Sequence, residues 1–263
     1  MNEERKCVAG WAYVYALGFF TPRELCRLHC GDYHDVYHTL YVMETVVDMA
    51  SKLRLAPDRI NFLAQVALLH DADPRESGTP ADVRRTLRWI ELQKAALCER
   101  FDWSEEKYNE ALALICRTEY PFDRQSKKSD DVYNGLSPAE LYDVILSRVE
   151  DPARLIVEGQ ILRFSDQVAN YIRDWNTASL CQKGLIAEMR AIGLEASQES
   201  LNTPKFLADV GKDWSHDLRI AWSQGVPPRL LSRNDLLYLL SDQQRTMMDR
   251  NIVAFEKQLR RAA

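Results

Sequence analysis

The stretch DYHDVYHTLYVMETV, residues 32–46, places His34 and His38 four residues apart in a chain with only five histidines. On an α-helix that spacing brings both imidazoles to one face, which suits holding a cation or moving a proton. A third histidine, His70, closes the apolar stripe of Ile60, Leu63, Val66 and Ala67, and Asp71 follows it directly in LLHDAD. Farther along, Leu155, Gly159, Leu162, Asp166, Ala169 and Ile172 recur at intervals of three and four, so Asp166 falls on the face a helix would bury. A carboxylate in that position is costly unless it is paired, hydrogen-bonded or bound to a cation. Imidazole nitrogen with carboxylate oxygen suits Zn²⁺, Fe²⁺ or Mn²⁺, and the absence of thiolates speaks against a closed structural zinc site. Too few protein ligands to fill an octahedron leaves room for water, and water acidified by a bound ion is a nucleophile.

The elements that must position these side chains are helices. TPRE at 21–24 and SPAE at 137–140 each set a hydroxyl cap, a proline at the first helical position and a glutamate at the third. A helix is expected from Pro57 to His70, and another, of about six turns, from an Asp151 cap and Pro152 through DPARLIVEGQILRFSDQVANYIRDW. The apolar run VAGWAYVYALGFF at 8–20 is too short to span a bilayer and reads as a core helix. QSKKSDDVYNG at 125–135 reads as a polar loop, and alternating strand patterns are absent. The expectation is one all-α domain over 1–263. It comprises a core at 21–176 and a C-terminal helical layer at 177–263, which includes SRNDLLYLLSDQQRTMMDRNIVAFEKQL.

With 263 residues, 46% of them hydrophobic, the chain is long enough to bury a sizeable core. A net charge of -5, from 34 basic and 39 acidic residues without a long basic run, gives no footprint for duplex nucleic acid or an anionic membrane. The expected partner is a small molecule. Six cysteines without a C-x-x-C pair point to the cytoplasm.

The order of these motifs resembles the HD superfamily of metal-dependent phosphohydrolases, and within it the catalytic domain of class I cyclic-nucleotide phosphodiesterases. YHDVYHTLYV is similar to that family's Y-H-N-x-x-H-x-x-x-V, and HDADPRESG to its H-D-x-D-H-x-G. ICRTEYP stands where the family has a helix ending in Thr-Asp, and SDQVAN where it has A-D-x-x-N. The likeness covers residues 33–175. It implies an HD/PDEase-like helical bundle in which His38, His70, Asp71 and Asp166 hold a divalent ion (Zn, Mn, Fe or Mg), with Asp71 bridging to a second ion. It makes His34 the proton donor to the leaving oxygen, and the implied substrate is a phosphodiester or nucleotide attacked by a metal-activated hydroxide.

Three positions depart from the family pattern: Asp35 stands for Asn, Pro74 for His and Glu119 for Asp. These positions bear on the second ion and on the substrate phosphate, for which Glu119 is the candidate here; Gln243 and Gln244 are the candidates for a base contact. A rival reading is a degenerate HD domain that binds a nucleotide or a partner protein without turnover. An HD-type di-iron oxygenase would need further histidines between Asp71 and Asp166, and there are none. The H-E-x-x-H of zinc proteases would need Glu where Asp35 stands. His29 and His216 are expected to be surface or satisfied histidines.

Overall fold

The computed structural model describes residues 10–74, 83–119, 136–191 and 230–262. The loop expected at 125–135, His216 and Cys7 lie outside the described residues. Within them the chain forms twelve α-helices and no strand beyond a single Cys30–Asp35 bridge. The helices are α1 (Gly10–Leu17), α2 (Pro22–Leu28), α3 (Val36–Lys52), α4 (Pro57–Leu69), α5 (Val83–Leu92) and α6 (Lys94–Phe101). They continue with α7 (Glu105–Cys116), α8 (Pro138–Leu146), α9 (Leu155–Val168), α10 (Trp175–Ala191), α11 (Arg233–Leu239) and α12 (Asp242–Ala262). None of the described helices is long and apolar enough to cross a membrane.

Both expected capping boxes form. The Thr21 hydroxyl accepts from the Glu24 amide while the Glu24 carboxylate accepts from the Thr21 amide, and Ser137 with Glu140 repeats the arrangement. Each box satisfies two backbone donors that a helix start leaves open.

The centre of the fold is α3, which packs along α4, against α9 and under α1 and α2. Its core residues Leu40, Val42, Met43, Val46 and Met49 are all but inaccessible, as are Leu63, Val66 and Leu69 of α4 and Ile161, Leu162 and Phe164 of α9. On the far side, α7 lies against α5, α8 and α9. Arg59 of α4 joins this side through buried carboxylates: its Nη1 donates to Glu110 of α7 at 2.6 Å and its Nε to Glu158 of α9 at 2.8 Å. Arg154 also pairs with Glu110. Two carboxylates withdrawn from water are tolerated here because guanidinium donors meet them.

Two expected elements come out differently. The helix expected to run six turns from Asp151 begins as a 3-10 turn, Pro152–Arg154, and its α-helical part ends at Val168; Asp151 makes no side-chain cap bond. The helix expected to be a core element, α1, buries only Ala12 and Ala16 and leaves Trp11, Tyr13, Val14 and Leu17 exposed. Apolarity all round does not fix a helix in a core: besides the two alanines only Tyr15 turns inward, half-buried, its hydroxyl donating to Asn61 Oδ1 of α4 at 2.7 Å.

The C-terminal helices dock on the same core. The Gln160 side chain donates to the Leu231 carbonyl at 3.2 Å and accepts from its amide at 3.0 Å, and Asn251 Nδ2 donates to the carbonyls of Tyr171 and Arg173 at 2.7 and 2.9 Å.

Candidate metal centre

Asp35 is the N-cap of α3, and its carboxylate accepts from the His38 amide at 2.9 Å. The short acid in extended backbone sets where the helix starts. His38 therefore rides on the first turn of α3, whereas His34 lies in the segment before it. The two are not on one helix face, as the spacing alone implies, yet their rings remain 5.6 Å apart and nearly perpendicular. His70 ends α4 as its C-cap residue, Asp71 follows, and Asp166 comes from the last turn of α9.

These elements bring His38, His70, Asp71 and Asp166 together, with one potential ligand atom from each lying within 4.8 Å of the others. His38 Nε2 is 3.0 Å from Asp166 Oδ1 and 3.3 Å from Asp71 Oδ2; His70 Nε2 is 2.9 Å from Asp71 Oδ2 and 3.5 Å from Asp166 Oδ1. Both imidazoles are 1% exposed, while the carboxylates keep 13% and 21% of their side-chain surface, so the group opens on the acid side.

His70 Nδ1–H donates to the Ala67 carbonyl at 2.7 Å, which turns Nε2 inward. His70 Nε2 and Asp71 Oδ2 are both buried and, 2.9 Å apart, face each other inside the group. Two buried imidazole nitrogens and two carboxylates facing a common centre fit a borderline divalent ion such as Zn²⁺, Mn²⁺ or Fe²⁺.

The electrostatics agree. Burial pushes the His38 imidazole down, but the hydrogen bonds and charges of Asp166 and Asp71 outweigh it and lift its pKa to about 9. His70 is likewise held well above its ordinary value, with burial opposing and Asp71 and Asp166 prevailing. Burial raises Asp71 and Asp166, but the surrounding histidines pull both below the usual carboxylate range. Two negative charges are thus balanced either by two imidazolium protons or by one divalent cation beside neutral imidazoles.

A pH dependence follows. Loading the group with Mn²⁺ near pH 7 should release about two protons, because neutral imidazole is the ligand form. The apparent affinity should rise with pH as both histidines lose their protons, His38 near 9. In the metal-free protein the sign is reversed. The folded pKa of His38 exceeds its unfolded value of about 6.5, so its contribution to stability is complete below about 6.5 and is lost as pH rises through about 9. Calorimetry in two buffers of different ionisation heat counts the protons; pH-independent binding without proton release would contradict the assignment.

His34 is fixed by a residue that the motifs did not reveal. Glu188 of α10 is fully inaccessible, and its Oε2 lies 2.6 Å from His34 Nδ1. Its Oε1 accepts from the backbone amides of Tyr33 and His34 at 2.7 and 3.0 Å. Burial raises the Glu188 carboxyl, but these bonds and the His34 ring hold it below the usual range. Close approach depends on two glycines. A Cβ on Gly184 would meet the Asp32 carbonyl oxygen at 2.4 Å, and one on Gly31 would meet Glu188 Oε1 at 2.3 Å. The sequence signal was there: Thr177, Cys181, Gly184 and Glu188 form one buried stripe of α10, with an acid where a core residue is due.

Comparison with protein-family models, curated proteins and solved structures gives no match.

The remaining candidates sit elsewhere. Glu119 is half-buried just past α7, where its charge, second to burial, helps push the Cys116 thiol up. Gln243 is exposed, and Gln244 is engaged in capping α12, its Oε1 accepting from the Ser241 amide at 2.7 Å. His29 is buried rather than at the surface. It contacts Thr39 Oγ1 at 3.1 Å, and burial drives its pKa down to about 3.

Proposed function

We propose that this chain is a metal-dependent hydrolase of a phosphoester, a phosphodiester or nucleotide, belonging to the HD superfamily. The observation that carries the proposal is the convergence of His38, His70, Asp71 and Asp166, with His34 oriented by Glu188 at the edge of the same group. A divalent ion there would supply a Lewis acid that polarises the phosphoryl group and acidifies water. The two histidines and two aspartates would hold it, and sharing of Asp71 with a second ion belongs to the same proposal.

The chain's own residues do the rest. With Nδ1 of His34 on Glu188, Nε2 is the nitrogen left to hand a proton to the departing oxygen. The His34 side chain is 17% accessible, enough to meet a bound ester while its ring stays fixed. Buried Glu188 acts through His34 as a positioning residue. The compartment proposed is the cytoplasm, in keeping with free thiols at Cys26, Cys30, Cys98, Cys116 and Cys181.

The test is elemental analysis of the purified protein, followed by a screen of cyclic and linear phosphodiesters and nucleotides with Mn²⁺, Mg²⁺ or Zn²⁺. Ion-dependent hydrolysis abolished by a chelator is expected. A metal-loaded protein that binds nucleotides and turns none of them over would favour a binding domain instead.

A further inference from the structure

Asn170 lies in the turn after α9, 1% exposed, with its amide against the back of the His38 ring. Nδ2 is 2.9 Å from His38 Nδ1, and Oδ1 is buried without a partner. The Tyr33 hydroxyl hydrogen-bonds to the same amide, and the Tyr33 ring lies over His38, centroids 4.7 Å apart and planes tilted by 35°.

The two ends of a carboxamide have the same shape, so hydrogen-bond chemistry decides which end faces the imidazole. An imidazole whose Nε2 lone pair is turned to a cation carries its proton on Nδ1 and needs an acceptor there. The amide nitrogen cannot accept; the amide oxygen can. His70 shows the same logic already complete, since its Nδ1–H is donated to the Ala67 carbonyl. Metal-binding histidines almost always give their second N–H to such an acceptor. Exchanging the two ends of Asn170 provides one for His38.

We propose that Asn170 is a positioning residue of the metal centre, its Oδ1 accepting the His38 Nδ1–H bond and thereby presenting Nε2 as the ligand atom. The proposal rests on the reading of the four-residue group as a metal site.

It is tested by titrating the full chain and two variants with Zn²⁺ and with Mn²⁺. Asn170→Asp keeps an acceptor of the same shape, whereas Asn170→Leu keeps the bulk and removes the acceptor. Asn170→Asp should bind at least as tightly as the parent, and Asn170→Leu about 10- to 100-fold more weakly. Nitrogen-15 NMR of the Zn²⁺-loaded parent gives a readout that does not depend on the variants folding: His38 should show a protonated Nδ1 and a ligated Nε2. Asn170→Leu binding as tightly as the parent, Asn170→Asp binding as weakly as Asn170→Leu, or a His38 ligated through Nδ1 would each overturn the role of Asn170 while leaving the metal site standing. A parent chain that takes up neither ion would remove the site and this role together.

Discussion

Asp71→Ala is expected to abolish stoichiometric metal binding. Its Oδ2 is the oxygen nearest to His70 Nε2, at 2.9 Å, and lies 3.3 Å from His38 Nε2, so one truncation removes the carboxylate that both imidazoles face. Folding should suffer much less. Without Asp71, Asp166 still holds a proton on His38 at 3.0 Å and is balanced by it, while His70 loses the charge that most favours its protonation and burial drives it to the neutral form. No uncompensated charge then stays in the core, so the several kcal/mol that attend a broken buried ion pair should not appear. Elemental analysis alongside thermal unfolding reads both effects. Full metal content in the variant would contradict the ligand assignment.

His34→Asn and His38→Asn should part company. His38 Nε2 faces both carboxylates, so its replacement should lose metal and activity together. His34 is held by Glu188 rather than by the acid pair, and its replacement should keep the ion. Turnover should nevertheless fall by about 10²- to 10⁴-fold, the usual contribution of a general acid. The loss should depend on the leaving group. A nitrophenyl phosphodiester departs with little need of a proton, so His34→Asn should be far less impaired on it than on an alkyl or ribose ester. Equal damage on both esters, with metal lost from the His34 variant, would make His34 a ligand.

Local chemistry was legible in the sequence, and contacts across the fold were less so. The Thr21–Glu24 and Ser137–Glu140 boxes could be read directly because a cap is decided within four residues. Asp166 stood out because a carboxylate in an apolar stripe needs a partner, and His38 Nε2 at 3.0 Å is one. The pairing of His34 with His38 was misread through spacing alone: Asp35 acts as a cap, so the helix starts between them. Glu188 escaped because it meets His34 across 154 residues of chain and through glycines whose importance shows only when α10 is seated. Apolar content overstated the burial of α1, since composition does not say which side of a helix finds a neighbour.

The most direct measurement is anomalous diffraction from crystals grown with Mn²⁺ or Zn²⁺, recorded on both sides of the metal's absorption edge. The expected result is a peak about 2.0–2.2 Å from His38 Nε2, His70 Nε2 and an oxygen of each of Asp71 and Asp166, the distances of ordinary metal–ligand bonds. Fully loaded crystals whose only peaks lie elsewhere, with the four side chains still in mutual contact, would contradict it.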